Sequence, residues 1–305
     1  MSEAKCLLLD GGMASQLIAN GFSDINFDPL WSARLLSTNP EAVTEAHQAF
    51  VKSGADIIET NTYQVSIEGF HKYLDLSSEE TLQLVRDSVS LARNAIQPQA
   101  TGKRILVAGS IGPYGVALHD GSEYTGHYIE HMSMQQLQDW HRPKMKALAE
   151  AGIDMFAFET IPAAKEADAL VNLLATEFPR TKAMLSFSCK NGLHTNYGEP
   201  LSDAVRSSMQ CDQITHVGVN CTSPEYIESL LDSLQPYKEL KPFVVYPNSG
   251  ELWTSGKGWA GQSKLVNLEP FISMCIEKGA TVIGGCCRVT KETLHQMRKA
   301  IDRRQ

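Results

Sequence analysis

Three cysteines have the clearest capacity for chemistry in this sequence of 305 residues. Cys221 follows a short apolar segment, and the adjacent pair Cys286 and Cys287 follows another apolar segment and two glycines. Zn²⁺ accepts tetrahedral thiolate ligation, and a catalytic zinc site keeps one ligand position for water or substrate. If the fold brings these thiols together, they can bind one zinc ion and leave a position for a substrate.

The adjacent pair sets a condition on the backbone. Neighbouring residues of a regular strand point to opposite faces, so Cys286 and Cys287 can bind one ion only where the chain leaves strand geometry. Gly284 and Gly285 make such a turn easy to adopt. Two buried thiols or a vicinal disulfide are the alternative interpretation. The other cysteines, such as Cys189 after a predicted strand, are interpreted as incidental or as core residues.

Eight short apolar segments recur along the chain, and each is followed by a stretch with helical periodicity. We predict strands at residues 6–10, 56–60, 105–110, 155–159, 183–188, 216–220, 243–246 and 281–284. This alternation predicts an α/β protein, a closed (β/α)8 TIM barrel that forms one domain over residues 1–305. Asn39-Pro40 and Gly54 mark the two ends of one helix, and Pro143 is expected to divide another segment into two helices.

Polar or thiol side chains follow nearly every predicted strand. They occur in the segments Asp10-Gly-Gly, Glu59-Thr-Asn-Thr, Gly112-Pro-Tyr-Gly, Glu159-Thr-Ile-Pro, Asn220-Cys-Thr, Pro247-Asn-Ser-Gly and Gly284-Gly-Cys-Cys-Arg. In a TIM barrel these positions converge on the C-terminal face, where active sites of this fold are built. Simple turns are the alternative, but the repeated polar groups favour a site.

The acidic balance of the chain argues against one class of partner. The chain has 27 Lys and Arg against 35 Asp and Glu, and it lacks the basic clusters that bind phosphate backbones. We therefore expect small-molecule partners and no nucleic acid. The first apolar stretch, residues 6–9, is too short for a signal sequence or a membrane span, so we expect a cytoplasmic protein without membrane contact.

Four segments together resemble the homocysteine S-methyltransferase family. They are Asp10-Gly-Gly-Met, Gly54-Ala-Asp-Ile-Ile-Glu-Thr-Asn-Thr-Tyr, Gly218-Val-Asn-Cys and Gly284-Gly-Cys-Cys-Arg, and the likeness covers essentially the whole chain. The resemblance implies that Cys221, Cys286 and Cys287 bind Zn²⁺ and that the homocysteine thiol takes the fourth position. An oxygen of Asn248 matches the group that fills this position without substrate, although an Asn that forms a turn is an equally good interpretation.

The resemblance also assigns residues to the amino-acid end of homocysteine. It places Asp10 and Glu159 there, with the amides of Gly11 and Gly12 near the substrate carboxylate. The alternative for Asp10 is an Asx turn with Gly11. The alternative for Glu159 is an ion pair with a neighbouring Lys or Arg.

The implied reaction is transfer of a methyl group to the homocysteine thiol, giving methionine. A free alkyl thiol has a pKa of about 8.5, whereas a thiol bound to zinc is deprotonated. Three thiolates and Zn²⁺ leave a net negative charge, which favours a cationic methyl donor. Relatives that use methyltetrahydrofolate or betaine look longer than this chain, so the resemblance points to the short branch that uses S-methylmethionine, with S-adenosylmethionine as a second donor.

Several alternatives stay open at this point. Betaine is the rival donor, and selenocysteine is an alternative acceptor. A barrel that binds zinc without catalysis is a rival of another class, but a role in metal binding alone would not require Asp10 and Glu159. We expect a monomer or a weak homo-oligomer.

Aromatic residues in two loops are candidates for the donor side. Segment 112–128 is long for a βα loop and contains Tyr114, Tyr124 and Tyr128, and Trp253 lies in a Gly- and Ser-rich loop after the seventh strand. An aromatic face can hold a sulfonium by cation–π attraction, worth roughly 0.5–2 kcal/mol. Ordinary packing at the surface is the alternative for these rings.

Overall fold

Eight parallel strands form the centre of the structure, a computed structural model that describes residues 5–97, 102–254 and 258–304. They are β1 (Leu7–Leu8), β2 (Ile57–Glu59), β3 (Leu106–Ile111), β4 (Met155–Ile161), β5 (Lys182–Phe187), β6 (Ile214–Asn220), β7 (Phe243–Tyr246) and β10 (Ala280–Ile283). Their order in the sheet is β1-β10-β7-β6-β5-β4-β3-β2, and a parallel bridge between Leu9 and Ile57 joins the two edge strands. This arrangement confirms the predicted TIM-barrel class.

Helices connect the strands and pack around them. In the described ranges they are α1 (Met13–Ala19), α2 (Leu35–Thr38), α3 (Pro40–Lys52), α4 (Ile67–Leu74), α5 (Ser78–Ile96), α6 (Met134–Glu150), α7 (Ala164–Glu177), α8 (Leu201–Ala204), α9 (Arg206–Gln210), α10 (Pro224–Leu234), α11 (Leu268–Glu277) and α12 (Lys291–Asp302). None of them has both the length and the hydropathy needed to cross a membrane.

Local sequence signals explain the bounds of α3. The Asn39 side chain accepts a hydrogen bond from the Ala42 N–H at 3.2 Å, and Pro40 occupies the first turn, where its missing N–H leaves no bond unmade. Gly54 follows the helix with a φ of 101°, a conformation that favours glycine. The helix therefore begins and ends where the sequence predicts.

The prediction at Pro143 was wrong, because α6 continues through it from Met134 to Glu150. An interior proline removes one helical hydrogen bond and costs about 3 kcal/mol. Buried contacts on both sides of the proline offset this cost. His141 lies 2.9 Å from the Glu166 carboxylate, and the Lys144 ammonium donates to the carbonyls of Thr62 and Val65 at 3.3 and 3.1 Å.

A short hairpin replaces the loop expected after the seventh strand. It consists of β8 (Leu252–Thr254) and β9 (Gly258–Ala260), which pair antiparallel with Trp253 opposite Trp259. The side chain of Trp253 lies outside the described part of the structure, so its predicted donor-side role stays a prediction.

Side-chain alternation along the strands decides which residues enter the barrel. On β4, Met155 and Ala157 belong to a cluster inside the barrel, whereas Phe156 and Phe158 pack in the larger core that includes the surrounding helices. Because alternate residues share a face, Glu159 points inward with Met155 and Ala157. The same alternation places Glu59 inside with Ile57 on β2.

Candidate active site

The loops after β6 and β10 bring the three predicted metal ligands together. The Cys221 Sγ lies 3.1 Å from the Cys286 Sγ and 3.7 Å from the Cys287 Sγ, and the last two sulfurs are 3.9 Å apart. Tetrahedral zinc with Zn–S bonds of about 2.3 Å separates its sulfurs by about 3.8 Å. Two of the three separations match this spacing, and no sulfur pair approaches the disulfide length of about 2.05 Å. The donor set therefore fits a thiolate metal such as zinc.

The backbone at both loops departs from strand geometry, as the adjacent cysteines require. Cys221 has a φ of 47°, a left-handed conformation that is unfavourable for a residue with a Cβ. After β10, the Cys286 N–H donates to the Pro247 carbonyl at 2.8 Å, and the Val289 N–H closes a turn on the Cys286 carbonyl at 3.0 Å. This turn directs the side chains of Cys286 and Cys287 to the same side.

Gly285 leaves room for this turn, and Gly285→Ala is expected to disturb it. A Cβ at this position would lie 2.1 Å from Val289 Cγ1 and 2.5 Å from Val289 Cβ, so the loop that carries both cysteines would have to move. We expect a loss of about 1–3 kcal/mol in the free energy of unfolding and weaker metal retention, measured by denaturant unfolding and by metal analysis after dialysis. Gly192→Ala is the control, because its Cβ would approach only Ser229 at 3.0 Å. Unchanged stability and metal content would contradict the steric argument.

Asn248 lies beside the cysteine cluster, but its amide forms a local turn. Its Oδ1 accepts a hydrogen bond from the Gly250 N–H at 2.8 Å, and its Nδ2 donates to the Cys221 carbonyl at 3.3 Å. In this conformation the oxygen is engaged by the backbone, as the turn interpretation expects. A role for Asn248 as fourth ligand stays a prediction.

The three cysteines lie on the wall of a cavity of about 670 Å³, part of which is open to solvent. Its other lining residues come from the C-terminal ends of the strands and from the chain after β1. They are Asp10, Gly11, Gly12, Met13, Ala14, Ser15, Trp31, Ser32, Glu59, Thr60, Asn61, Tyr63, Ser110, Tyr124, Glu159, Thr160, Tyr246 and Gly285. The described lining contains carboxylates and thiols but no Lys, Arg or His, so the cavity favours cationic groups.

Three carboxylates face this cavity. Glu159 is buried and accepts a hydrogen bond from the Ser110 hydroxyl. Asp10 is also buried, and its Oδ2 accepts from the Glu59 N–H at 2.8 Å. Asp10 Oδ1 and Glu59 Oε1 are buried and have no hydrogen-bond partner in the described structure. In the described structure Glu159 forms no salt bridge with a Lys or Arg, but the charge of buried Lys144 opposes the rise of its pKa, so the ion-pair alternative is supported only as a longer-range interaction.

Burial and mutual repulsion act on these carboxylates in the same direction. Burial raises the pKa of Glu159 to about 7, although the Ser110 hydrogen bond opposes this shift. The pKa of Asp10 is raised well above its usual value by burial, and the pKa of Glu59 is raised by burial and by the charges of Glu159 and Asp10. A bound cation would stabilise the ionised carboxylates and so offset much of the rise in their pKa values.

The predicted glycine amides have a structural role in the same region. The Gly12 N–H donates to the Val289 carbonyl at 3.0 Å, so this amide is not free to bind a carboxylate. A Cβ on Gly12 would lie 2.5 Å from the Cys286 carbonyl oxygen, and one on Gly11 would lie 2.6 Å from that of Val289. Both glycines therefore allow the chain after β1 to approach the cysteine loop.

The structure separates the three tyrosines of segment 112–128. Tyr124 lines the cavity, and its hydroxyl lies 3.4 Å from the Cys221 Sγ. Tyr114 and Tyr128 are not among the lining residues, because the loop turns them toward α6 and α7. The Tyr128 hydroxyl donates to the Glu166 carboxylate, and the Tyr114 ring lies 5.3 Å from that of Trp140.

Sequence reasoning did not assign several residues at or near the cavity to the site, and Trp31, Glu59, Tyr63 and Glu123 are examples. Glu59 stood at a strand end, like Glu159, so the alternation of β2 was a usable signal. Trp31 has a φ of 48° at the start of a short 3₁₀ helix between α1 and α2, which no periodicity indicates. Glu123 precedes Tyr124 in a short 3₁₀ helix, and its Oε2 is buried without a partner in the described structure.

Comparisons with known proteins agree with this site. The family model described as homocysteine S-methyltransferase matches residues 7–301. Homocysteine S-methyltransferase YbgG of Bacillus subtilis is 41% identical over 299 residues, which cover 95% of this chain and 93% of the relative. A protein of Drosophila melanogaster named betaine-homocysteine S-methyltransferase is 39% identical over 309 residues, which cover 96% and 93% of the two chains.

A solved structure gives the same result. The metallated form of the homocysteine methyltransferase MmuM of Escherichia coli superposes with a TM-score of 0.84 at 36% identity, over 99% of this chain and 96% of that chain. The chain therefore belongs to the homocysteine S-methyltransferase family, and it is an enzyme of the methyltransferase class. The name of the Drosophila relative states betaine as the methyl donor, whereas the names of the Bacillus subtilis and Escherichia coli relatives state no donor.

Proposed function

We propose that this enzyme uses zinc to transfer a methyl group from a sulfonium donor, S-methylmethionine or S-adenosylmethionine, to the thiol of L-homocysteine. The observation that carries the proposal is the cluster of three thiols within 4.8 Å of one another in a cavity lined by carboxylates. Such a cavity suits a metal cation, an ammonium group and a cationic methyl donor together.

The cysteines supply the metal site in this proposal. Cys221, Cys286 and Cys287 would hold the ion through three sulfurs and leave one position for the homocysteine sulfur. When bound, zinc lowers the pKa of a thiol ligand and so supplies a thiolate nucleophile at neutral pH. Hydrogen bonds from Cys286 and Cys287 lower the pKa of the Cys221 thiol, whereas contact with Cys221 and burial raise the pKa of Cys286 and of Cys287. The positive charge of a bound metal ion would favour ionisation of all three thiols.

The carboxylates would orient the acceptor. Asp10 and Glu159 face the cavity from β1 and β4, and the ammonium of homocysteine would bind between them. The acceptor would then be held at its ammonium and at its sulfur. Two fixed ends restrict the thiol to one orientation, which lowers the entropic cost of reaching an in-line geometry with the donor.

Aromatic rings and negative charge support a cationic donor. Tyr124, Tyr63 and Trp31 line the cavity, and Tyr124 contacts Cys221, next to the reacting sulfur. Their faces can attract a sulfonium, with roughly 0.5–2 kcal/mol for each favourable contact. The methyl group would leave the sulfonium with its bonding electrons remaining on the donor sulfur, and methionine would form from homocysteine.

Methionine formation with single donors tests the proposal. Zinc-loaded enzyme would receive homocysteine with S-methylmethionine, S-adenosylmethionine, betaine or methyltetrahydrofolate in separate reactions. Turnover with a sulfonium donor and little with betaine is the expected result. Preference for betaine would overturn the donor assignment and favour the activity named for the Drosophila relative. Preference for selenocysteine over homocysteine would overturn the acceptor assignment.

Glu123→Gln is expected to weaken binding of the methyl donor and to leave binding of homocysteine unchanged. Burial raises the pKa of Glu123 to about 7, and burial followed by the charge of Glu123 raises the pKa of Tyr63 on the cavity wall. Loss of this negative charge is expected to raise the KM for S-methylmethionine about fivefold, or about 1 kcal/mol, and to leave the KM for homocysteine unchanged. Glu130→Gln, on the exposed side of the same loop, is the control. Equal effects on both substrates would contradict a donor-side role.

A further inference from the structure

Glu59 brings a second unsatisfied oxygen into the acceptor side of the cavity. The residue ends β2, lines the cavity and is tied to Asp10 by its own N–H, which donates to Asp10 Oδ2 at 2.8 Å. Its Oε1 and the Asp10 Oδ1 are both buried, and neither has a hydrogen-bond partner in the described residues. Buried acceptors are normally satisfied, so two such oxygens in one cavity indicate a missing donor.

The chemistry of the cavity restricts what this donor can be. Buried Lys144, whose charge acts on Glu159, is engaged by the carbonyls of Thr62, Tyr63 and Val65, at 3.3, 3.5 and 3.1 Å. It is not a lining residue, and the described lining includes no basic side chain. A ligand that enters the cavity can supply the donor. A primary ammonium offers three N–H groups and a positive charge, whereas a quaternary ammonium offers no N–H.

We propose that Glu59 is a third carboxylate for the α-ammonium of the acceptor, and that it makes the enzyme select thiols that carry this group. Asp10 Oδ1, Glu59 Oε1 and the Glu159 carboxylate would each accept one N–H. This inference rests on the proposed function, because it takes homocysteine as the acceptor. It adds a residue and a selection rule, since a thiol with the same carbon chain but no amino group leaves all three carboxylates unpaired.

A comparison of two methyl-accepting thiols, one with and one without an amino group, makes the test specific to the ammonium. Homocysteine and 4-mercaptobutyrate differ only in the amino group, so their binding to zinc-loaded wild type and Glu59→Gln can be compared by titration calorimetry. We expect the variant to bind homocysteine about tenfold to a hundredfold more weakly and 4-mercaptobutyrate within about twofold of the wild type. The KM for homocysteine in methyl transfer should rise by the same factor, while the KM for S-methylmethionine stays constant.

Two further variants keep the test decisive. Glu59→Asp retains the charge on a shorter side chain, and it is expected to lose less homocysteine affinity than Glu59→Gln. Glu68→Gln, on the exposed face of α4, should bind both thiols like the wild type. Equal weakening of both thiols by Glu59→Gln, or no weakening of either, would overturn the inference. If Glu59→Gln does not fold, Glu59→Asp is sufficient for the test. An unchanged ratio of its affinities for homocysteine and 4-mercaptobutyrate, relative to the wild type, would overturn the inference.

Failure of this inference can be told apart from failure of the proposed function. If wild type binds homocysteine in a manner that depends on Glu59 but does not methylate it, the proposed reaction is wrong and the ammonium site stands. If wild type methylates homocysteine and 4-mercaptobutyrate with equal efficiency, the reaction stands and the selection rule is wrong.

Discussion

Cys286→Ala is expected to release zinc from the purified enzyme and to lower methyl transfer to homocysteine by more than about a thousandfold. Changes to the outer contacts of a metal site typically cost ten- to a hundredfold in affinity or activity, and the loss of one of three ligands costs more. The Cys286 Sγ lies within 4 Å of both other sulfurs, and among the described residues the cluster contains no fourth thiol that could replace it. Metal analysis and single-turnover methyl transfer measure the two effects.

Cys189→Ala is the matched control for this variant. Cys189 is also buried and also follows a barrel strand, and its N–H donates to the Thr222 hydroxyl at 2.9 Å, but its thiol is outside the cluster. It should keep one zinc and near-normal turnover. Full zinc content and turnover in Cys286→Ala would contradict the assignment of the cluster as the metal site.

Glu159→Gln is expected to raise the KM for homocysteine by about a hundredfold. Loss of one partner from a buried charge pair costs about 2–5 kcal/mol, and the neutral amide leaves the acceptor ammonium poorly compensated. The amide can still bond to Ser110, so the fold and the zinc content should be unchanged. The KM for the donor should change much less, because the proposed function assigns Glu159 to the ammonium of the acceptor.

Initial rates at varied homocysteine, with saturating S-methylmethionine, measure this effect. Glu177→Gln is the control, since Glu177 is exposed at the end of α7 and pairs with Arg142. A fall in turnover with an unchanged KM for homocysteine would instead place Glu159 in the chemical step. Loss of zinc in Glu159→Gln would contradict the separation of the two parts of the site.

The barrel was predictable because buried parallel strands appear as short apolar segments. All eight predicted strands match the observed strands to within about two residues at each end. The first is much shorter than predicted, since β1 spans only Leu7–Leu8 before the chain turns toward α1. Since all strand ends of a barrel meet at one face, the approach of Cys221 to the Cys286-Cys287 pair also followed from the sequence.

Side-chain contacts away from the barrel strands were not predictable. Pro143 breaks an isolated helix, and only the buried partners of His141 and Lys144 explain why α6 continues through it. The directions of Tyr114 and Tyr128 depend in the same way on Glu166, which lies on α7 and accepts hydrogen bonds from the Tyr114 N–H and the Tyr128 hydroxyl. Periodicity describes one element at a time, so it cannot report which loop residue a buried carboxylate will hold.

The position of β10 in the sheet relates the order in which the chain is synthesised to the assembly of the cysteine cluster. This strand lies between β1 and β7, and the two cysteines that follow it face the one that follows β6. During synthesis, neither the ring of strands nor the sulfur cluster can be complete until β10 and Cys287 have left the ribosome. Capture of the metal by all three sulfurs would therefore come only after all eight barrel strands have been made, and it would indicate that the barrel has closed.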